Sequence, residues 1–116
     1  LHFQMGGVGP MFGQVGFFLK CAGRDFQDKR PRDRYVAEST RLLGVMDTHL
    51  AAHRWFSGDD YTIADIAMLG WVRNLIGFYD ARDLVGFDRF RHVAGWLQRG
   101  LARPAVQRGL AIPARP

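Results

Sequence analysis

Cysteine is almost absent from this chain. Cys21 stands alone among 116 residues, so there is no internal disulfide framework, which suits a reducing compartment. It lies in a polar stretch between Lys20 and Arg24 and reads as a tolerated free thiol rather than a nucleophile. Long apolar runs are missing as well. No segment reaches the roughly 18 uninterrupted apolar residues that a membrane span needs, and no basic region leads into an apolar run at the N-terminus in the manner of a secretory leader. Lysine is scarce, so arginine carries the net charge of +5. Acidic residues interleave with it even in the densest patch, Arg30-Pro31-Arg32-Asp33-Arg34. That pattern describes a solvated, salt-bridged face better than a nucleic-acid-binding stripe. Neither nucleic acid nor a membrane is expected as a partner, and a cytoplasmic location is expected.

The remainder has the balance of a globular domain, with 47% hydrophobic and 23% charged residues, and its length suffices for one hydrophobic core. Residue 1 is Leu rather than Met and falls inside an apolar pattern. This suggests a piece of a longer protein whose first helix is truncated.

Residues 1–20 mix apolar side chains with Gly6, Gly7, Gly9, Gly13 and Gly16 and have few of the β-branched residues that strands favour. The spacing predicts a helix that packs closely on a neighbour through Gly9 and Gly13 and kinks at Pro10. Residues 21–31 read as a polar turn. From Asp33 to about His53, Tyr35, Leu42, Met46 and Leu50 share one helical face. A third helix starts at Thr62 and runs to about residue 78, and its apolar residues go most of the way round, as in a buried helix. A fourth spans about Phe87 to Leu101, with Trp96 as a partly buried anchor, and Pro104 opens a short last one. The tail from Ile112 to Pro116 is expected to fray. The fold class is therefore all-α, a helical bundle around a central buried helix at about residues 62–78.

Thr62-Ile63-Ala64-Asp65 has the form of a capping box: the Thr62 hydroxyl accepts from the Asp65 N–H while the Asp65 carboxylate reaches back to the Thr62 N–H. Tyr61 before the cap is placed to pack on Ile66. The motif is structural, and Asp65 is read as a cap in preference to a catalytic carboxylate.

In its setting the box becomes more informative. The stretch from Trp55 through Ala67 resembles the C-terminal domain of the glutathione transferase superfamily, where a Ser/Thr-x-x-Asp box opens the central helix. Trp96, Arg103-Pro104-Ala105-Val106 and Arg108-Gly109-Leu110 are similar to that family's last helices. The run Gln4-Met5-Gly6-Gly7-Val8-Gly9-Pro10-Met11-Phe12-Gly13-Gln14 resembles the bacterial Nu-class transferases, often described as disulfide-bond oxidoreductases.

The resemblance implies one helical domain over residues 1–116. It also implies a thioredoxin-like domain, absent from these residues, that holds most of the glutathione site and the sulfur-activating residue. No catalytic residue is then expected in this chain, and glutathione would be the co-substrate. Arg34 matches the Nu-class arginine that reaches bound glutathione, and a guanidinium fork suits a carboxylate. The alternative for Arg34 is a surface ion pair with Glu38 one turn on. Met11, Gln14 and Phe18 either line the wall facing a second substrate or serve as core or dimer contacts. A homodimer is implied, and the parent would conjugate glutathione to small electrophiles or reduce disulfides. A non-catalytic interaction module on the same fold is the competing reading.

Three other motifs fail. Gly7-Val8-Gly9 lacks the third glycine of a dinucleotide loop, since Phe12 stands there, and no strand precedes it. His49 and His53 are four apart but have no third ligand in sight, so no metal site is expected. The helix after Gly58-Asp59-Asp60 is too apolar to be a DNA-recognition helix.

Overall fold

The computed structural model describes residues 1–114, and the part of the predicted tail at Arg115 and Pro116 lies outside the described residues. Five α-helices follow in order: α1 (Gly9–Lys20), α2 (Arg30–Ala52), α3 (Ile63–Ile76), α4 (Arg91–Leu101) and α5 (Pro104–Leu110). No β-strand occurs among the described residues. Helix α1 packs on α2 and α3, α4 packs on both α2 and α3, and α5 leans on α4. Val8, Phe12 and Val15 of the first segment meet Leu43, Met46, Val72, Leu75, Val93 and Trp96 in a single core. The all-α bundle around the third helix is thus the observed architecture.

Several boundaries differ from expectation for identifiable reasons. Before α1 the chain makes a π-helical turn, Gln4–Val8, in which the Gly9 N–H donates to the Gln4 carbonyl. Pro10, which has no N–H to donate, follows closely on this wider turn and stands in the first turn of α1, so the irregularity expected at the proline takes the form of a π-helical turn. Helix α2 starts at Arg30, not Asp33, because Pro31 opens the helix rather than ending the preceding turn. Asp28 accepts from the Arg30 N–H at 3.0 Å and satisfies one of the first free donors. The fourth helix does not begin at Phe87. A 3₁₀ turn, Phe87–Arg89, precedes it, entered through Gly86 in the left-handed region at φ 64°.

The close approach of α1 is real and lies within the chain. The indole of Trp71 on α3 covers Gly9 and Gly13, and the Tyr79 ring lies directly on Gly16. Helix α3 is less enclosed than its apolar pattern implied. Asp65, Met68, Leu69, Val72 and Leu75 are buried, but Ile63 and Ile66 remain 64% and 58% exposed. With Gly70 and Arg73 they form one open stripe at helical spacing. Tyr61 meets Trp55 edge-on, lies 3.9 Å below the Arg103 guanidinium and borders one open concavity together with Ile66.

Helix α4 has no capping side chain of its own at Phe90. Asp47 of α2 supplies one, since its Oδ1 accepts from the His92 and Val93 N–H groups at 2.9 and 3.1 Å. A carboxylate there also meets the positive end of the helix dipole. Asp47→Ala is expected to lower stability by about 1 kcal/mol, the usual worth of a cap. Amide exchange should accelerate at His92 and Val93, and unchanged rates there would show that the carboxylate does not protect them.

Candidate functional site

Three features could do chemistry or bind a ligand: the capped start of α3, the histidine pair on α2, and the arginine-bearing rim where α1 faces α2. The first is structural. Asp65 is fully buried, and its Oδ2 accepts from the Thr62 N–H at 3.0 Å while Thr62 Oγ1 accepts from the Ala64 N–H at 3.3 Å. The second carboxylate oxygen does more than a cap requires. Oδ1 accepts from the Phe56 N–H at 3.0 Å and from Trp96 Nε1 at 2.9 Å. Trp96 is therefore fully buried rather than partly so, because its polar end has a buried partner. The tight turn Trp55–Gly58, closed by Trp55 N–H to Gly58 O at 2.8 Å, aims the Phe56 N–H at Asp65. Gly58 sits at φ 114°, where a side chain would be strained. One carboxylate thus joins the loop, α3 and α4, and all of its bonds are committed to structure.

The histidines are committed too. Their rings stack with centroids 4.4 Å apart. His49 Nε2 bonds the Phe56 carbonyl at 2.8 Å, and His53 Nδ1 bonds the His49 carbonyl at 3.1 Å. No group of three metal-ligating side chains occurs among the described residues.

The rim is different. Arg34 lies on the first part of α2, exposed, between two open concavities. One, of about 340 Å³, is lined by Met11 from α1 and by Arg34, Tyr35, Ala37, Glu38 and Arg41 from α2. The other, of about 440 Å³, lies at the start of α2 between Asp28, Arg30, Pro31, Arg34 and Tyr35. Phe18 stacks on Tyr35 at 5.9 Å between centroids and meets Phe17 and Phe26 edge-on, which ties the end of α1 to α2 beside the rim. Of the three wall residues expected from the sequence, Met11 lines the rim directly, Phe18 buttresses it through Tyr35, and Gln14 is exposed on α1 outside both linings.

The expected ion pair between Arg34 and Glu38 does not form. Glu38 is held instead by Arg41, in a fork with Nη2 to Oε1 at 2.7 Å and Nε to Oε2 at 2.8 Å. Arg41 keeps the Glu38 carboxyl below the usual carboxylate range, chiefly through this hydrogen bond, with a smaller contribution from the charge of Arg34. Arg30 is likewise taken by Asp28, at 2.7 Å, and Arg32 by Asp33, at 2.8 Å. Arg34 forms no ion pair among the described residues, which leaves its fork open to an outside carboxylate. Sequence reasoning found Arg34 but missed Arg41. The signal was available: a glutamate N-terminal to its basic partner is the better-oriented helical pair, and Glu38 precedes Arg41 but follows Arg34.

The family model for the glutathione S-transferase C-terminal domain matches residues 10–104, and the chain belongs to this family. Among solved structures, it is similar to a glutathione transferase family member from Pseudomonas fluorescens pf-5 with two glutathione bound. The identity is 63% and the TM-score 0.94, over 96% of this chain and 49% of that one. A glutathione transferase from Pseudomonas putida with one glutathione disulfide bound per subunit is 62% identical, with a TM-score of 0.93, over 97% of this chain and 48% of that one. Among curated proteins, the disulfide-bond oxidoreductase YfcG of Escherichia coli is 39% identical over 62% of this chain and 33% of its own length. The chain thus spans about half the length of the structures it matches. No helix among the described residues is long and apolar enough to cross a membrane.

Proposed function

We propose that this chain is the C-terminal half of a cytoplasmic, homodimeric, glutathione-dependent enzyme that conjugates glutathione to electrophiles or reduces disulfides. The remaining half would be a thioredoxin-like domain that generates the glutathione thiolate. In the conjugation reading the thiolate attacks an electrophilic carbon and a leaving group departs. In the reduction reading it attacks one sulfur of a disulfide, a mixed disulfide forms, and the other sulfur leaves as thiolate. Either way the sulfur chemistry belongs to the other domain, and this half alone is inactive. Its own part is to bind and orient: Arg34 engages a glutathione carboxylate, while Met11 and the ring pair of Phe18 and Tyr35 shape the adjoining wall.

The observation that carries this reading is the open guanidinium of Arg34, set between two concavities while neighbouring arginines are paired with carboxylates. A hydrogen bond to a charged group contributes about 1.5–3 kcal/mol, so Arg34→Ala in the full-length protein should weaken glutathione binding at least about tenfold. Calorimetric titration with reduced glutathione checks this. An unchanged affinity removes Arg34 from the site. Failure of both conjugation and disulfide-reduction assays would favour a non-catalytic interaction module.

A further inference from the structure

Arg34, Glu38 and Arg41 lie along one face of α2, within two turns, and all three line the same concavity with Met11. Glu38 has two cations within reach of its helical position, one turn on either side. It has chosen Arg41, with both oxygens engaged at 2.7 and 2.8 Å. The choice has a physical basis. Helical side chains lean toward the N-terminus, so Arg41 leans back over Glu38, and the order acid-then-base also agrees with the helix dipole. Arg34 precedes Glu38 and makes the less favourable pair. Glu38 nevertheless senses Arg34, whose charge contributes to holding the carboxyl ionised.

We propose that Arg41 is a positioning residue for ligand binding: by occupying Glu38 it prevents that carboxylate from closing on Arg34, and so keeps Arg34 open for the carboxylate of glutathione. The proposal rests on the reading of Arg34 as a glutathione contact. Arg41 acts through Glu38 and need not touch the ligand. Without Arg41, the nearest cation to Glu38 along the helix is Arg34, and an internal carboxylate then competes with the external one at the same fork.

The test is a double-mutant cycle in the full-length protein, titrated with reduced glutathione. Arg41→Ala alone should weaken binding about two- to fivefold, the range expected for an exposed ion pair that forms in competition. Glu38→Gln alone should leave binding equal or slightly tighter, since the competitor is gone. The double variant Glu38→Gln/Arg41→Ala has the same net charge as the parent protein and should bind as the parent does. Additivity overturns the proposal: if Arg41→Ala costs the same with and without the glutamate, Arg41 only attracts anions at long range.

A second readout does not involve glutathione. The Glu38 carboxyl, followed by NMR titration, should stay below its ordinary range in Arg41→Ala, because Arg34 takes over. It should return to that range only when Arg34→Ala is added. A return in Arg41→Ala alone refutes the competition itself. A normal exchange of partners with no effect of Arg34→Ala on glutathione refutes instead the reading of the site.

Discussion

Asp65→Ala should destabilise the fold by about 3–5 kcal/mol, the order expected when three hydrogen-bond donors, one buried and two part-buried, are left without their acceptor. Three donors lose their acceptor at once: the Phe56 and Thr62 N–H groups and the Trp96 indole. Each orphaned buried donor costs about 1–3 kcal/mol, and the indole that bonds Asp65 lies in a fully buried setting, away from water. Asp65→Asn keeps the shape but must turn an NH₂ toward either the Thr62 N–H or the pair on the other oxygen. About half of the full loss is expected. Thr62→Ala removes only the outer part of the cap and should cost about 1 kcal/mol. Urea unfolding monitored by tryptophan emission ranks the three variants. If Asp65→Ala and Thr62→Ala proved equal, the carboxylate would be an ordinary cap and the link to α4 would contribute nothing.

Gly16→Ala is the second large effect, and its direction runs against helix propensity. Gly16 lies inside α1, where alanine normally stabilises by about 0.5–1 kcal/mol over glycine. Here a Cβ would enter the Tyr79 ring. That ring is not at liberty to leave without cost. Its backbone N–H is bonded to the Asn74 carbonyl at 2.9 Å, and the chain turns sharply after it at Asp80, at φ 55°. Overpacking of this kind costs about 1–3 kcal/mol, so we expect a net loss of about 2 kcal/mol. In a Tyr79→Ala background the sign should reverse, and Gly16→Ala should become stabilising by the usual helix increment. Thermal unfolding of the four proteins decides it. A loss that persisted without the tyrosine ring would place the clash elsewhere.

These two positions mark how far the sequence could be read. The capping box was legible because its groups are three residues apart and the backbone of a helix start sets their geometry. Trp96 was legible as an anchor but not as a partner of Asp65, because 31 residues separate them and nothing local aims one at the other. Nothing in the sequence around Asp47 marks it as a cap. Its role at the start of α4 exists only once the two helices are packed. The exposure of Ile63 and Ile66 was misread for a related reason. An apolar pattern around a helix says that a side can be covered, and the covering surface need not lie in the same stretch of chain. Arg34 was found through family resemblance, while its neighbour was mispaired because spacing alone leaves Glu38 two choices and orientation makes the decision.

The two capped helices differ in a way that bears on the order of assembly. Helix α3 carries its own start signal, since Thr62 stands immediately before it and Asp65 lies in its first turn. Helix α4 borrows its signal from α2, across 45 residues of chain. A segment with a local cap can nucleate early, whereas one that depends on a remote carboxylate has no comparable start until that partner has docked. Helix α4 is therefore a dependent element: excised as a peptide it would lose its cap and the acceptor for its tryptophan together. Its formation and the closing of the core around Trp96 are parts of one event.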